Sequence, residues 1–223
     1  MGRKVYAQPE PGEAQLAIVG MLRPGESVLE VGCAGGHMTR LMSEKGCRVS
    51  AVELDPEQAQ QARRHAEHLI VADIESPETW AQIDGRFDAI VFADVLEHLR
   101  DPWEVLRRAR QALAENGRVL ASIPNVAYWH VRLKLLLGRF EYTEFGIMDD
   151  THLRFFTAGS AKRLFVSTGY RIERFMRIAG NRTLLKMGRL VLPNWFAYQF
   201  VIEARPKPGK AQRKQRTENF DAA

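Results

Sequence analysis

Short apolar runs alternate with mixed polar and apolar segments through the first half of the chain. The runs predict buried strands at 28–31, 48–53, 69–73, 88–93 and 118–123. Between them, helical spacing and helix-start signals predict helices at 37–44, 56–67 and 102–113 and a short helix or loop at 77–83. Asp55-Pro56 and Asp101-Pro102 are typical of a capped first helical turn. This alternation predicts an α/β fold with a doubly wound, mostly parallel sheet.

The pattern changes after the fifth run, which Pro124 closes. The second half predicts a basic amphipathic helix at 126–138, an irregular stretch at 139–154, a helix at 158–168, strands at 171–178 and 196–204, and a short basic and apolar segment at 183–192. The predicted organisation is an N-terminal arm with a helix at 13–22 (together 1–24), one α/β domain (25–204) with an insertion (126–156), and a basic tail (205–223).

A turn of small residues directly follows the first predicted strand. The segment 32–36 reads Gly-Cys-Ala-Gly-Gly, and helical spacing begins at His37. Because few side chains stand above such a turn, its backbone N–H groups and the helix N-terminus can approach a ligand closely. A glycine-rich turn alone is a weak signal, so the neighbouring residues decide its meaning.

Three successive predicted strands carry an acidic residue at or near their carboxyl ends. Glu30 lies in an otherwise apolar run, where a charge is costly without a partner or a role. Glu53 follows about 20 residues later, where an acid can accept hydrogen bonds from ribose hydroxyls, and Asp73 ends the third run. The three acids predict a nucleoside site along one edge of the sheet.

These segments resemble the motifs of class I S-adenosylmethionine-dependent methyltransferases across roughly residues 25–180. The similar stretches are Glu-Val-Gly-Cys-Ala-Gly-Gly at 30–36, Val-Glu-Leu at 52–54, Ala-Asp-Ile at 72–74, and the long run at 87–102 that contains Leu-Glu-His. The last run is similar to ubiquinone-type O-methyltransferases and to bacterial sugar or small-molecule methyltransferases. Ala34 departs from the glycine that many members carry, but alanine is the smallest replacement.

The resemblance implies a seven-stranded sheet of order 3-2-1-4-5-7-6, with an antiparallel last strand and a helix covering the cofactor edge. S-adenosylmethionine is the implied cofactor. Glu30 would orient the turn and the amino-acid end of the cofactor, Glu53 would accept from the ribose, and Leu54 would pack on the adenine. Asp73 and the Ile74 N–H would meet the adenine edge, and Ala93 or Asp94 would border the methionine moiety. The turn itself would contribute Gly32, Cys33, Ala34 and Gly36.

The acceptor half of the site is predicted around 145–156, a segment similar to one in glycan-pathway relatives. His152 is the candidate base, with Asp149 fixing its tautomer, and His98 is the rival base. The alternative for His152 is a structural polar cluster that ties the insertion to the fifth strand, and the alternative for His98 is a hydrogen bond at the start of a helix. The prediction assigns no metal, although Asp149, Asp150 and His152 could together hold a divalent ion.

Aromatic and basic side chains in the insertion are candidates for the acceptor pocket. Tyr128, Trp129, Phe140 and Tyr142 would form a wall, and Arg132, Lys134 and Arg139 could meet phosphates of an acceptor. A packed core and a solvated charged face are the respective alternatives.

Composition adds few constraints. The chain is 45% hydrophobic and 26% charged, and it has two cysteines, Cys33 and Cys47. These values, the lack of a signal-like N-terminus and the absence of an apolar run of about 18 residues predict a soluble, cytoplasmic protein. Six basic residues crowd 205–216, and without their charge the formal net charge of +5 becomes −1. That tail is solvated or makes peripheral contact with anionic lipid, and nothing indicates a nucleic-acid partner.

The sequence therefore predicts a methyltransferase that modifies a hydroxyl of a sugar, glycolipid intermediate or secondary metabolite. An aminosugar nitrogen is an alternative acceptor. A nicotinamide dehydrogenase is disfavoured because Glu30 precedes the first glycine of the turn by two residues. A non-catalytic regulator is a further alternative, because 122–125 and the following residues to 140 resemble bacterial methionine-pathway regulators.

Overall fold

One seven-stranded sheet with the order β3-β2-β1-β4-β5-β7-β6 forms the centre of the protein. The computed structural model describes residues 11–179 and 192–208. The strands are β1 (Ser27–Val31), β2 (Arg48–Glu53), β3 (His68–Val71), β4 (Phe87–Ala93), β5 (Leu113–Pro124), β6 (Tyr170–Ile178) and β7 (Gln199–Pro206). The helices are α1 (Glu13–Met21), α2 (His37–Glu44), α3 (Pro56–Ala62), α4 (Pro77–Gln82), α5 (Pro102–Ala112), α6 (Trp129–Leu136), α7 (Ala158–Ser167) and α8 (Pro193–Phe196), with a 3₁₀ turn at Leu96–His98.

The first five strands run parallel, and β7 is antiparallel to both β5 and β6. The predicted fold class and strand order are therefore confirmed. Parallel strands end at the same edge of the sheet, so the segments that follow β1, β2, β3 and β4 all lie along one edge.

Apolar side chains cover both faces of the sheet, which explains why the strands appear as near-continuous apolar runs. On β4, Ile90 and Phe92 pack in the core on the α5 and α7 side, whereas Ala89 and Val91 pack on the α1 and α2 side. The alternation along one strand follows from the two-residue period of β structure. These two apolar cores, one on each face, hold in place the sheet edge that carries the candidate site.

Several boundaries differ from the prediction. The strand predicted at 118–123 begins earlier, at Leu113, and Asn116-Gly117 lie at an irregularity between the pairings of β5 with Phe87 and with Ala89. A side chain at Gly117 would place a Cβ 2.7 Å from the Phe87 carbonyl oxygen, so only glycine fits that close approach.

The other differences are shorter elements. β3 ends at Val71 instead of Asp73, although the Ala72 N–H still donates to the Glu53 carbonyl. α3 begins where it was predicted but ends at Ala62 instead of residue 67, and α6 is shorter than 126–138. β7 starts at Gln199 because α8 takes up 193–196. The predicted arm up to residue 10, the segment 183–191 and the tail from 209 lie outside the described residues.

Both predicted helix caps are present. The Asp55 carboxylate accepts from the N–H groups of Glu57 and Gln58, and the Asp101 carboxylate accepts from that of Glu104. In the part of the chain that the structure describes, no helix is both long and apolar enough to cross a bilayer.

Candidate active site

The turn between β1 and α2 has a backbone that glycine alone adopts readily. Gly32 and Gly36 have φ values of +72° and +82°. A Cβ on Gly32 would lie 2.7 Å from Val95 Cγ2, and one on Gly36 would lie 2.5 Å from Ala62 Cα. The turn therefore needs glycine for conformation and for space at both positions. Ala34 also has a positive φ, at 45°, which is strained for a residue with a side chain.

Glu53 holds the turn against the end of β2. One of its carboxylate oxygens accepts from the Ala34 N–H at 2.7 Å, and the other accepts from the Asp55 N–H at 2.9 Å. Charge-assisted bonds of this kind are the stronger class of hydrogen bond, which explains how Ala34 is kept in its strained conformation. Each carboxylate oxygen retains a further lone pair for a ligand hydroxyl.

Glu30 is fully buried beneath the same turn. Its carboxylate accepts from Thr39 Oγ1 at 2.6 Å, which joins β1 to the first turns of α2. Burial raises the pKa of Glu30 to about 7, the Thr39 hydrogen bond opposes the rise, and the nearby Glu53 charge adds to it. Glu30 thus positions the turn and its helix. The partner Thr39 was not predicted, since nothing in the sequence distinguishes it from other helix residues.

The residues predicted at the adenine end lie along the next strand ends. Leu54 is 59% exposed beside Glu53. Asp73 accepts from the Glu75 N–H at 2.8 Å, and Ile74 is buried while its carbonyl accepts from Trp80 Nε1 at 2.8 Å. An exposed apolar side chain next to a strand-end acid is a suitable surface for an aromatic base, so these roles stay predictions that the geometry permits.

Asp94 follows Ala93 at the end of β4 and takes a left-handed backbone with φ at 56°. Its carboxylate accepts from Ser122 Oγ at 2.9 Å and from the side-chain amide of Gln199. Burial raises the pKa of Asp94, and those two hydrogen bonds oppose the rise. Ser122 and Gln199 were not predicted, because they reach Asp94 only through the sheet order.

His98 and His152, predicted as rival bases, lie side by side. Their ring centroids are 4.7 Å apart in an edge-on arrangement. His152 Nδ1 lies 3.0 Å from the Ile147 carbonyl oxygen, and His98 Nδ1 lies 3.1 Å from Thr151 Oγ1. A carbonyl only accepts, so the first contact assigns the proton of neutral His152 to Nδ1 and leaves Nε2 as the basic nitrogen.

Glu97 is the principal residue that the sequence reasoning missed. It is 1% exposed, and among the described residues neither of its carboxylate oxygens has a hydrogen-bond partner. Burial raises its pKa well above the usual range, the charges of Asp94 and Asp149 add to the rise, and the dipole of its own backbone N–H opposes it. Its backbone carbonyl accepts from the N–H groups of Leu153 and Arg154, which fastens the insertion to the turn after β4. The Leu-Glu-His motif was the available signal, but a position in a motif does not reveal burial.

Asp149 connects to the histidine pair through Thr151. Its carboxylate accepts from the Thr151 N–H at 2.8 Å and from Thr151 Oγ1 at 2.6 Å. Its role in fixing the tautomer of His152 stays a prediction. The alternative metal group of Asp149, Asp150 and His152 is not the one that the fold assembles. Within the described ranges, the potential ligand atoms that all lie within 4.8 Å of one another belong to Glu97, His98 and His152.

Aromatic side chains of the insertion surround His152 on one side. Phe155 lies 6.1 Å from His152 and 6.1 Å from Phe140, and Phe140 contacts Tyr142 at 5.5 Å between centroids. Phe140 and Tyr142 are about half exposed. They are thus available as an acceptor wall.

The other members of the predicted wall and its basic residues are partly occupied within the protein. Tyr128 packs edge-on against Tyr198. Arg132 donates to the Ala127 carbonyl and lies over the Trp195 ring, and Lys134 pairs with Glu141 at 3.7 Å. The predicted role of Arg132 and Lys134 toward acceptor phosphates therefore has less support than the predicted role of the aromatic cluster.

Comparison with known proteins agrees with this architecture. Residues 6–174 match the family described as the methyltransferase domain. A ubiquinone biosynthesis O-methyltransferase from Xanthomonas campestris pv. campestris is 36% identical over 106 residues, covering 46% of this chain and 44% of the relative. The match thus spans less than half the length of that curated relative.

Two solved structures are similar in fold. Magnesium protoporphyrin IX methyltransferase from Synechocystis PCC 6803, solved with bound SAH, has a TM-score of 0.62 and 16% identity and covers 91% of each chain. An S-adenosylmethionine-dependent methyltransferase from Archaeoglobus fulgidus has a TM-score of 0.64 and 15% identity, covering 86% of this chain and 94% of that one. At these identities the likeness concerns the fold. Because the family match extends over more than half of the chain and the sheet has the strand order expected of class I members, this chain belongs to the methyltransferase-domain family.

Proposed function

We propose that the protein methylates a hydroxyl group of a small acceptor, using the edge formed by the ends of β1, β2 and β4 for the cofactor. The observation that carries the proposal is the pair of imidazoles, His98 and His152, next to the Asp94 end of β4. A positioned imidazole with one nitrogen fixed by a carbonyl is a suitable general base for a hydroxyl.

The turn and its acids fit the cofactor. Gly32 keeps side chains away from the sheet edge, the second lone pairs of Glu53 suit a ribose diol, and exposed Leu54 suits the adenine face. S-adenosylmethionine supplies a methyl carbon activated by its sulfonium when bound. The protein's contribution is to hold the acceptor oxygen in line with that carbon and to remove the proton.

The base is assigned to His152 in preference to His98. Its Nδ1 contact with the Ile147 carbonyl leaves Nε2 to take the proton, and the Phe155 and Phe140 cluster beside it can hold an acceptor ring. A sugar, a glycolipid intermediate or an aromatic secondary metabolite could stack there. Methylation of an aminosugar nitrogen is the second chemistry compatible with the same base.

The cellular setting is part of the same proposal. Cys33 and Cys47 are both buried, free thiols, which suits a reducing cytoplasm. Contact of the basic tail with anionic lipid is proposed as a minor, peripheral interaction, and no nucleic-acid partner is proposed.

The test begins with calorimetric titration of the full chain with S-adenosylmethionine, S-adenosylhomocysteine and NAD. We expect micromolar binding of both sulfur nucleosides and none of NAD. Acceptor panels of sugar, phenol and aminosugar type would then be screened by the release of S-adenosylhomocysteine. NAD binding would overturn the cofactor assignment. Tight cofactor binding with no turnover on any hydroxyl or amine would instead favour the non-catalytic regulator.

A further inference from the structure

We propose that a groove between α5 and α7 binds an organic phosphate, and that this phosphate belongs to the methyl acceptor. The groove has a volume of about 470 Å³ and lies between Trp103 on α5, the end of the insertion at 153–156, and Ser160, Arg163 and Leu164 on α7. The second half of the proposal rests on the proposed function, because it assumes a hydroxyl acceptor. The first half concerns binding alone and is tested without cofactor or turnover.

The charge of the groove indicates an anionic ligand. Arg154 and Arg163 both line it, and the described residues that line it include no carboxylate. Glu104 on α5 already pairs with Arg107 and Arg108, each at 2.9 Å. Two guanidinium groups without a balancing acid in one cavity favour an anion there.

Arg154 is held in place on one side of the groove. Its Nε and Nη2 donate to the Arg100 carbonyl, and its guanidinium lies 5.7 Å from the centroid of the Trp103 ring. These bonds use two of the five N–H groups of the guanidinium, and the planar fork of this group matches phosphate oxygens. Because the side chain is already oriented, little conformational entropy is lost when it binds an anion.

Arg163 turns back toward the start of its own helix. A Cβ placed on Gly159 would lie 3.4 Å from Arg163 Nη1, so the guanidinium lies beside the first turn of α7. That turn has no acidic residue. The positive end of a helix dipole disfavours a nearby cation and favours an anion. A phosphate in the groove would therefore offset the charge of Arg163.

The rest of the lining indicates that the phosphate is attached to an apolar body. Trp103, Phe155 and Phe156 contribute rings, and Leu153 and Leu164 contribute aliphatic surface. The volume falls in the range of about 300–1,000 Å³ that is usual for small-molecule sites. Inorganic phosphate would leave the rings uncovered, whereas a phosphate ester of an aromatic or other apolar group would contact both the rings and the arginines.

Phe155 connects the groove to the acceptor site. Its ring lines the groove, and its centroid lies 6.1 Å from that of His152. An acceptor with its hydroxyl at His152 can therefore extend past Phe155 and place a phosphate on the two arginines. The acceptor class is then a phosphate ester. Its phosphate is recognised in this groove and not by Arg132 and Lys134, which have partners within the protein.

The experiment is calorimetric titration of the full chain with phenyl phosphate, with phenol and inorganic phosphate as parallel titrants. We expect sub-millimolar binding of phenyl phosphate and binding weaker by about 10-fold or more for each fragment. Arg154→Gln and Arg163→Gln should each weaken phenyl phosphate binding by about 10-fold or more, because each removes charge-assisted hydrogen bonds. Lys162→Gln is the matched control. It removes the same charge from α7, but Lys162 lies over the Phe175 ring on β6, so binding should be unchanged.

Amide and indole NMR shifts locate the bound ligand. Phenyl phosphate should shift the signals of Ser160 and Trp103 and leave those of the glycine turn at 32–36 in place. Arg163 is exposed, so Arg163→Gln should stay folded even if Arg154→Gln loosens the contact with Arg100. Absence of phenyl phosphate binding, or equal binding by the folded Arg163→Gln variant, would overturn the groove assignment.

A turnover comparison tests the assignment to the acceptor. Among hydroxyl acceptors that the screen identifies, phosphate esters should have a lower KM than their unphosphorylated counterparts, and Arg163→Gln should remove that difference. Preference for the unphosphorylated compounds would overturn this half of the proposal. Because the phenyl phosphate titration needs no cofactor, its result is independent of the cofactor titrations that test the proposed function.

Discussion

At the residue scale, three carboxylates of the same edge have different tasks because their partners differ. Glu30 is buried and accepts a hydrogen bond from a threonine hydroxyl, whereas Glu53 accepts one from the backbone of the turn. Among the described residues, no hydrogen-bond donor reaches the carboxylate of Glu97. The acidic pattern along the strands predicted the first two positions. It could not predict the third, since burial and partners depend on residues that are distant in the chain.

Glu53→Ala should weaken S-adenosylhomocysteine binding by about 1–3 kcal/mol, because charge-assisted hydrogen bonds to the ligand and to Ala34 are lost. Calorimetry of the purified variant measures this. Glu57→Ala, on the exposed side of α3, is the matched control and should bind normally. Unchanged affinity in the Glu53 variant would remove the ribose assignment.

Glu30 should make folding stability depend on pH. Its pKa rises from 4.5 in the unfolded chain to about 7 in the folded protein, so the folded state binds the extra proton. The associated stability is complete below pH 4.5 and is lost as the pH rises through 7, by at most about 3 kcal/mol.

Urea unfolding at several pH values checks this expectation. Glu30→Gln should flatten the decrease in the free energy of unfolding across that window while leaving other titrations in place. A wild-type decrease of the same size in the Glu30→Gln variant would assign the effect to other groups.

His152→Ala should lower turnover by about 100-fold or more and leave cofactor affinity close to that of the wild type, since a general base acts on the acceptor. The measurement needs the acceptor identified in the screen. His130→Ala is the control. Near-normal turnover of the His152 variant, combined with a large loss in His98→Ala, would transfer the role to His98.

At the element scale, the contact between the glycine turn and α3 determines how closely α3 approaches the site. Gly36 lies against the Ala62 backbone, whereas Gly85 has a similar φ of +88° with nothing near its Cβ position. Substitutions at these two glycines therefore distinguish destabilisation by backbone strain alone from destabilisation by strain together with steric overlap.

Gly85→Ala should destabilise the protein by about 1–2 kcal/mol through its left-handed backbone alone. Gly36→Ala should cost about 1–3 kcal/mol more, because the added methyl group overlaps α3. Chemical denaturation of both variants gives the comparison. Equal losses would show that the turn adapts to the extra atom and that close packing is not required there.

Sequence reasoning succeeded for elements with strong periodicity and failed where tertiary contacts decide. The buried strands and the capped starts of α3 and α5 follow from local pattern and cap chemistry. The insertion has no periodicity between 139 and 154, so the pairing of His98 with His152 could not be read from the chain. The extension of β5 through Asn116-Gly117 also depends on its neighbour β4.

At the scale of the whole molecule, a buried ion pair ties the N-terminal region to the centre of the sheet. Arg118 on β5 is 5% exposed and donates two bonds of 2.9 Å to the carboxylate of Glu26 and one to the Met21 carbonyl. Glu203 on β7 lies 3.6 Å from the same guanidinium. Three parts of the chain meet at one side chain.

Arg118→Ala should destabilise the protein by about 2–4 kcal/mol, because it leaves the largely covered carboxylates of Glu26 and Glu203 without their partner. Arg107→Ala, which breaks an exposed pair with Glu104, should cost no more than about 1 kcal/mol. Thermal and urea unfolding distinguish the two. A small loss for Arg118→Ala would mean that water replaces the guanidinium and that the pair is structurally dispensable.

The position of β7 has a consequence for the order of folding. β7 follows β6 in the chain but lies between β5 and β6 in the sheet, and its first residue, Gln199, donates to Asp94. During synthesis the earlier strands can assemble from their own contacts, whereas β6 gains its neighbour only after β7 has left the ribosome. The Asp94 carboxylate, which is predicted to border the methionine end of the cofactor, therefore acquires its full set of partners last. A nascent chain that stops before residue 199 lacks one of those partners.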